Sequence, residues 1–203
     1  MVGKTHDTHG RHRTPYLLPL MTKNIKINRE WAMPNPNTFM IKPINEIIKK
    51  YGFADEPLTF VDPFCRNSPF KKFCVSNDLD PTIKADYNMD ALDFLKMFDS
   101  ESVHGVLLDP PYSPRQVAEC YKKSGKTVNM ETTQSSFWAN IKKETARILT
   151  PSGVCITCGW NSGGIGKNLG MEIEEILLVA HGGWHNDTIV TVERKNAQEG
   201  LGL

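Results

Sequence analysis

Val103-His104-Gly105-Val106-Leu107-Leu108-Asp109-Pro110-Pro111-Tyr112 is the stretch that decides how this chain is read. Its first six residues are an apolar run of strand length, bounded at once by turn-forming residues. Two consecutive prolines end the strand sharply and fix the direction in which the chain leaves it. The carboxylate of Asp109 and the carbonyl of Pro110 are therefore held as two acceptors at a strand end, and Tyr112 adds a flat aromatic face beside them.

Such a pair of acceptors suits an exocyclic amine, which has two N–H donors to give. The amine of adenine is a poor nucleophile, because its lone pair is delocalised into the ring. Acceptors on its hydrogens favour a pyramidal nitrogen and stabilise the positive charge that develops when the nitrogen is alkylated. Tyr112 can stack on a base. A base inside a duplex cannot present its amine to a pocket, so it must be flipped out or already unpaired.

Outward from this stretch, the apolar spacing predicts helices over 41–51, 88–98, 113–123 and 134–149. Ile44, Ile47 and Ile48 share one face of the first, and Met89, Leu92, Phe94 and Leu95 face inward from the second. Strands are predicted over 58–61, 73–76, 103–108, 154–158, 173–180 and 188–192. Residues 125–132 and the glycine-rich 161–170 read as loops, and 181–187 as the turn between the last two strands. Strands alternating with helices imply a mostly parallel sheet covered on both faces, with a ligand beyond the carboxyl ends of its strands. Three predicted strands end in an acid, Asp62, Asp78 and Asp109, which marks these as functional candidates.

The chain has 203 residues, 39% hydrophobic, enough for one full core, and shows neither a repeat nor a linker. Residues 1–30 lack clean periodicity and read as a basic, partly flexible arm, with 31–203 as the single catalytic domain. Without a long apolar run or an apolar leader, no membrane association is expected, and the expected location is cytoplasmic. The five cysteines are an odd set for a disulfide framework. Cys155-x-x-Cys158 has no second pair, and Val154, Ile156 and Thr157 make it read as a buried strand, so no metal is expected. His6, His9 and His12 do not form a run.

The net charge of +1 is unevenly spread: residues 1–29 carry six basic residues against Asp7, and 113–143 carry Arg115, Lys122, Lys123, Lys126, Lys142 and Lys143 against Glu119 and Glu131. Two basic stretches on a near-neutral chain suit a polyanion.

Asp109-Pro110-Pro111-Tyr112 resembles the catalytic motif of the amino-group DNA methyltransferases, and its Asp resembles the adenine-N6 branch. A Ser in that position is commoner in the cytosine-N4 branch, and Asn in protein and RNA methylases. The resemblance implies a single-domain, Rossmann-like, class I S-adenosylmethionine-dependent α/β fold, with a mostly parallel seven-stranded sheet closed by a C-terminal antiparallel hairpin. S-adenosylmethionine is the implied cofactor and S-adenosylhomocysteine the product. Asp62-Pro63-Phe64-Cys65-Arg66-Asn67-Ser68 is similar to the family's cofactor loop, Asp-Pro-Phe-x-Gly-x-Gly, but has Arg66 and Ser68 where glycines are usual.

Asp78, followed by Leu79, resembles the acid that binds the cofactor ribose, with Asp80 as its competitor for that role. Asp90-Ala91 resembles the segment that contacts the cofactor adenine. Residues 31–39, with Trp31, Met33, Pro34, Thr38 and Phe39, resemble the N-terminal cofactor-lining segment. Cys65 and Asn67 belong to the implied cofactor set with the loop. Arg115, Lys122, Lys123 and Lys126 are candidate phosphate contacts, and Trp160 and Asn161 candidate contacts to the target base.

About 18 residues separate Asp90 from Asp109 and about 90 follow Tyr112, which leaves little room for a target-recognition domain. The chain is thus similar to compact, stand-alone adenine methylases of phages and prophages, including its Gly159-Trp160-Asn161 turn and its 181–187 hairpin. The expected partner is DNA. RNA adenine or cytosine N4 remains open as acceptor, as does a degenerate methylase that only binds nucleic acid. The resemblance leaves monomer and homodimer equally open.

Overall fold

The computed structural model describes residues 24–52, 59–124 and 135–197. Its sheet contains β1 (Lys26–Trp31), β2 (Phe60–Asp62), β3 (Cys74–Ser76), β4 (Val103–Leu108), β5 (Leu149–Gly159), β6 (Met171–Ala180) and β7 (Thr188–Lys195), in the spatial order β1-β6-β7-β5-β4-β2-β3. Every neighbouring pair is parallel except those of β7, which runs antiparallel to β5 and β6. All six parallel strands therefore end at one edge.

The helices are α1 (Lys42–Gly52), α2 (Ala91–Lys96), α3 (Pro114–Lys123) and α4 (Ser135–Ile148). Alternation along the strands divides the core in two. Phe60, Leu107, Val154 and Ile156 pack with Ile44, Ile47 and Ile48 of α1 on one face. Val61, Val106, Leu108 and Cys155 pack with Phe94 and Leu95 of α2 and Ile141 and Ile148 of α4 on the other. Each large side chain so buried contributes about 1.5–3 kcal/mol. Gly105 is required on the α1 face, because a Cβ there would lie 2.0 Å from the ring of its cross-strand neighbour Phe60. Cys155 and Cys158 are both buried in β5 and belong to the opposite core clusters.

Strand β4 has the predicted bounds. Strand β5 runs from 149 rather than 154, because residues 149–153 continue the sheet past a Ser152 in the left-handed region (φ 64°). Helix α2 is shorter than its apolar pattern, because Asp90 caps it: its Oδ1 accepts the N–H of Leu92 at 2.9 Å.

The larger correction is β1. Residues 26–30, read from sequence as the end of a partly flexible arm, form with Trp31 an edge strand paired with β6 from Lys26↔Glu175 to Trp31↔Ala180. Its side chains are almost all exposed, so no hydrophobic period marks it. Polar contacts hold it instead. Asn28 donates to buried Glu175 at 2.6 Å, and the same carboxylate accepts from Lys50 at 2.5 Å and Tyr51 at 2.7 Å on α1. Residues 1–23 of the expected arm lie outside the described residues. Among the described residues, no helix is long and apolar enough to cross a membrane.

Candidate active site

A cavity of about 390 Å³ opens at the edge where the parallel strands end. It is walled by Pro63, Phe64 and Arg66 after β2, by Asp78, Leu79 and Asp80 after β3, and by Asp109, Pro110, Pro111 and Tyr112 after β4. Thr38, Asp90, Ala91, Gln116, Val117, Tyr121 and Phe137 complete it. All five cofactor and catalytic stretches singled out in the sequence thus contribute to one place, although from Thr38 to Tyr112 they span more than 70 residues.

Asp109 sits at the top of β4. The Tyr112 hydroxyl donates to its Oδ1, and the Thr38 hydroxyl is a second hydrogen-bond partner. Burial raises the Asp109 carboxyl above the ordinary carboxylate range, opposed by those two hydroxyls and by the charge of Arg66. The main-chain N–H of Tyr112 is held by the Gln116 side chain at 2.7 Å. The Tyr112 ring meets Trp160 edge-on, with centroids 5.5 Å apart at 61°.

Asp62 lies beneath the cavity, fully buried. Its Oδ1 accepts from Phe64 N–H at 3.2 Å, while its Oδ2 has no hydrogen-bond partner. Burial, reinforced by the charges of Asp109 and Asp78, pushes its carboxyl up to about 8. An unpaired carboxylate oxygen in this position is unsatisfied until a donor arrives.

The loop after β2 keeps a glycine-like path without glycine. Arg66 has φ 41°, in the left-handed region, and its N–H donates to Asp78 Oδ2 at 2.9 Å. Ser68 closes the turn, with its N–H on Cys65 O at 2.7 Å and its hydroxyl accepting from Phe70 N–H at 3.1 Å. Asp78 Oδ1 accepts from Asp80 N–H at 2.9 Å. Both oxygens of Asp78 retain lone pairs for a further donor. Asp90 spends one oxygen on capping α2 and accepts the Tyr121 hydroxyl on the other.

Two organising residues were not singled out in the sequence. Asn77, fully buried, donates to Pro63 O and Met89 O and accepts from Met89 N–H, all at 3.1 Å, tying three walls together. Tyr121 closes the cavity from α3. A polar residue straight after a strand is a signal that could have found Asn77. Tyr121 is one of several aromatics at helical spacing and carries no such mark.

Other candidates lie elsewhere. Trp31 and Met33 are exposed, and Phe39 belongs to the core on the α1 face. Pro34 is half-buried outside the cavity. Cys65 is buried with its thiol toward Arg66 O, and Asn67 points to solvent. On α3, residues 116, 117, 119, 120 and 121 line the cavity, whereas Arg115 and Lys122 are exposed and do not line it, and Arg115 is paired with Glu119 at 2.9 Å. Lys123 is the last residue of α3, and Lys126 lies outside the described residues. Trp160 is half-exposed beside Tyr112, and Asn161 caps its own turn by accepting Gly163 N–H at 2.9 Å. Among the described residues, no group of His, Cys, Asp and Glu is arranged to hold a metal.

No family model matches the chain, and no curated protein matches it in sequence. Solved structures do match in fold. TrmN from Thermus thermophilus has 13% identity and a TM-score of 0.50, covering 76% of this chain and 49% of that one. The chain therefore spans about half the length of TrmN. The 1,6-didemethyltoxoflavin-N1-methyltransferase of Burkholderia thailandensis, solved with its substrate and S-adenosylhomocysteine, has 11% identity and a TM-score of 0.52, covering 76% and 77%. The N-methyltransferase NodS of Bradyrhizobium japonicum, also solved with S-adenosylhomocysteine, has 9% identity and a TM-score of 0.51, covering 79% and 88%. The fold is the Rossmann-like fold of these methyltransferases.

Proposed function

We propose that the chain transfers a methyl group from S-adenosylmethionine to the N6 amine of adenine in DNA, with Asp109 as the acceptor that activates the amine. The observation that carries this reading is a carboxylate on a Pro-Pro strand exit, inside a cavity, with a tyrosine at its side. The cavity's other walls fit the cofactor. Asp78 offers spare lone pairs to hydroxyls, Leu79 and Phe137 offer apolar contact, and Asp62, buried behind the lining residues Pro63 and Phe64, holds an unpaired oxygen that could take an N–H donor or a cation. When bound there, S-adenosylmethionine would supply a methyl group already activated on a sulfonium.

The protein's task is then mostly positioning. Asp109 accepts a hydrogen of the target amine and stabilises the charge that builds on the nitrogen. Pro110, locked by its ring and by Pro111, offers its carbonyl to the second hydrogen. Tyr112 and Trp160 provide faces for a base taken out of the stack. The altered cofactor loop motivated a purely binding role, but Arg66 adopts the backbone a glycine would supply, which supports the catalytic reading over the degenerate one.

Calorimetric titration with S-adenosylmethionine tests the cofactor, and Asp109→Ala tests the chemistry. Micromolar binding is expected in both proteins, with transfer lost only in the variant. No heat with wild-type protein, or a folded Asp109→Ala variant with near-wild-type turnover, would refute the proposal.

A further inference from the structure

Three tryptophans are exposed on this molecule among the described residues: Trp31 (65%), Trp160 (45%) and Trp184, which is fully exposed. All three lie on the edge that holds the cavity. Trp31 ends β1, Trp160 follows the last residue of β5, and Trp184 tips the turn between β6 and β7. Gly159 pairs with Ile189, so Trp160 stands beside the root of that turn. On its other side, His181 bonds Ala32 O at 2.8 Å and Thr188 Oγ1 at 2.9 Å, anchoring the turn to the end of β1. Gly182 and Gly183 both have positive φ (69° and 61°), which turns the chain back and leaves Trp184 projecting. A Cβ at Gly182 would come 3.4 Å from the indole nitrogen of Trp31. The edge thus reads, in spatial order, Tyr112, Trp160, Trp184, Trp31. Four strand intervals from β4 to β1 make it roughly 19 Å long.

Large aromatics left in water at several adjacent points mark a binding surface. Arg29, two residues before Trp31 and so on the same face of β1, is exposed and makes no ion pair among the described residues. We propose that this edge binds unpaired nucleotides flanking the target base, the indoles of Trp184 and Trp31 each stacking on one of them. A duplex hides its base faces within the stack, whereas an unpaired strand offers them to flat side chains, with a cation for the backbone phosphate. This rests on the reading of Asp109 as the amine-activating group, and it names the substrate's form: a single strand or a locally opened duplex.

The test is equilibrium binding, by anisotropy, of a short labelled DNA strand and of the same sequence as a duplex, kept separate from methyl transfer. Trp184→Ala and Trp31→Ala should each weaken strand binding roughly 5- to 100-fold. Trp184→Phe, which keeps a ring, should retain most of the affinity, and strand binding should quench the intrinsic tryptophan fluorescence. Trp184 touches nothing that its loss would unfold, and circular dichroism verifies this for both variants. Unchanged affinity in both alanine variants overturns the proposal, as does a preference for duplex over strand. So does loss of self-association in the variants, by light scattering, with DNA binding intact, which would assign the edge to a second copy of the chain. Tryptophan-dependent strand binding without methyl transfer would refute the methylation reading and leave this surface standing.

Discussion

Tyr112 donates its hydroxyl to the carboxylate of Asp109, three residues before it, so the tyrosine occupies an acceptor that the target amine needs. The same phenol holds the Asp109 carboxyl lower than burial alone would leave it. Tyr112→Phe keeps the stacking face, frees the acceptor and removes that support, so the Asp109 pKa rises. If transfer needs the ionised carboxylate, the acid limb of kcat against pH moves to higher pH in Tyr112→Phe, while kcat on the plateau stays within about tenfold. Tyr112→Ala, which also loses the ring, should lose a further 10- to 100-fold or so. An acid limb that stays in place in Tyr112→Phe would show that Asp109 is not the titrating group.

Asp62 gives a stability signature in the absence of ligand. Its folded-state carboxyl is raised to about 8 from an ordinary 3.8. Between those values the folded state holds a proton that the unfolded state has released, so stability falls as pH rises through this window and levels off above it. Asp86 and Glu175 are shifted downward and finish titrating in acid, so they add no slope near neutrality. Thermal melts from pH 5 to 8 should show a declining Tm in wild-type protein and a flatter profile in Asp62→Asn. Equal slopes would mean that Asp62 is ionised in the folded protein throughout.

Arg66 holds a left-handed backbone at a cost of about 1–2 kcal/mol. Arg66→Gly relieves that strain and loses some unfolded-chain restriction, for a net gain of about 0.5–1 kcal/mol by denaturant titration. It also removes a positive charge that lowers the Asp109 carboxyl. A destabilised Arg66→Gly would show that the arginine side chain contributes more than its backbone costs.

Glu193, fully buried in β7, accepts the N–H groups of Ile165 and Gly166 at 2.5 and 2.9 Å and so pins the loop that follows Trp160. A Cβ at Gly164 would strike this carboxylate at 2.3 Å. Glu193→Ala leaves two donors without their partner and should cost about 2–5 kcal/mol, measured by denaturant unfolding. Proteolysis within 161–170 should accelerate in parallel. A change below about 1 kcal/mol would show that water replaces the carboxylate without loss.

The strands that bear acids were legible because apolar runs and Pro-Pro or Asn-Asp stops coincide at Asp62, Asp78 and Asp109, and a sheet of this kind gathers strand ends by topology alone. What stayed hidden depends on partners distant in sequence. The edge strand β1 is fastened by Asn28 to Glu175, 147 residues away, and no local pattern announces such a bond. Trp31 and Met33 resembled cofactor-lining residues, but pairing of β1 next to β6 puts Trp31 at the far end of the same edge, four strands away from Asp109. The basic residues of α3 were placed at the right edge, but helical phase decides which of them see the cavity, and Val117, Cys120 and Tyr121 take those positions.

The most direct measurement is transfer of a labelled methyl group from S-adenosylmethionine to duplex DNA, single-stranded DNA and RNA, followed by digestion to nucleosides. Label in N6-methyldeoxyadenosine, greater on the single strand than on the duplex and absent in Asp109→Ala, is the expected result. Label in N4-methyldeoxycytidine, in RNA alone, or in no nucleic acid at all would contradict the assignment of Asp109 to the adenine amine of DNA.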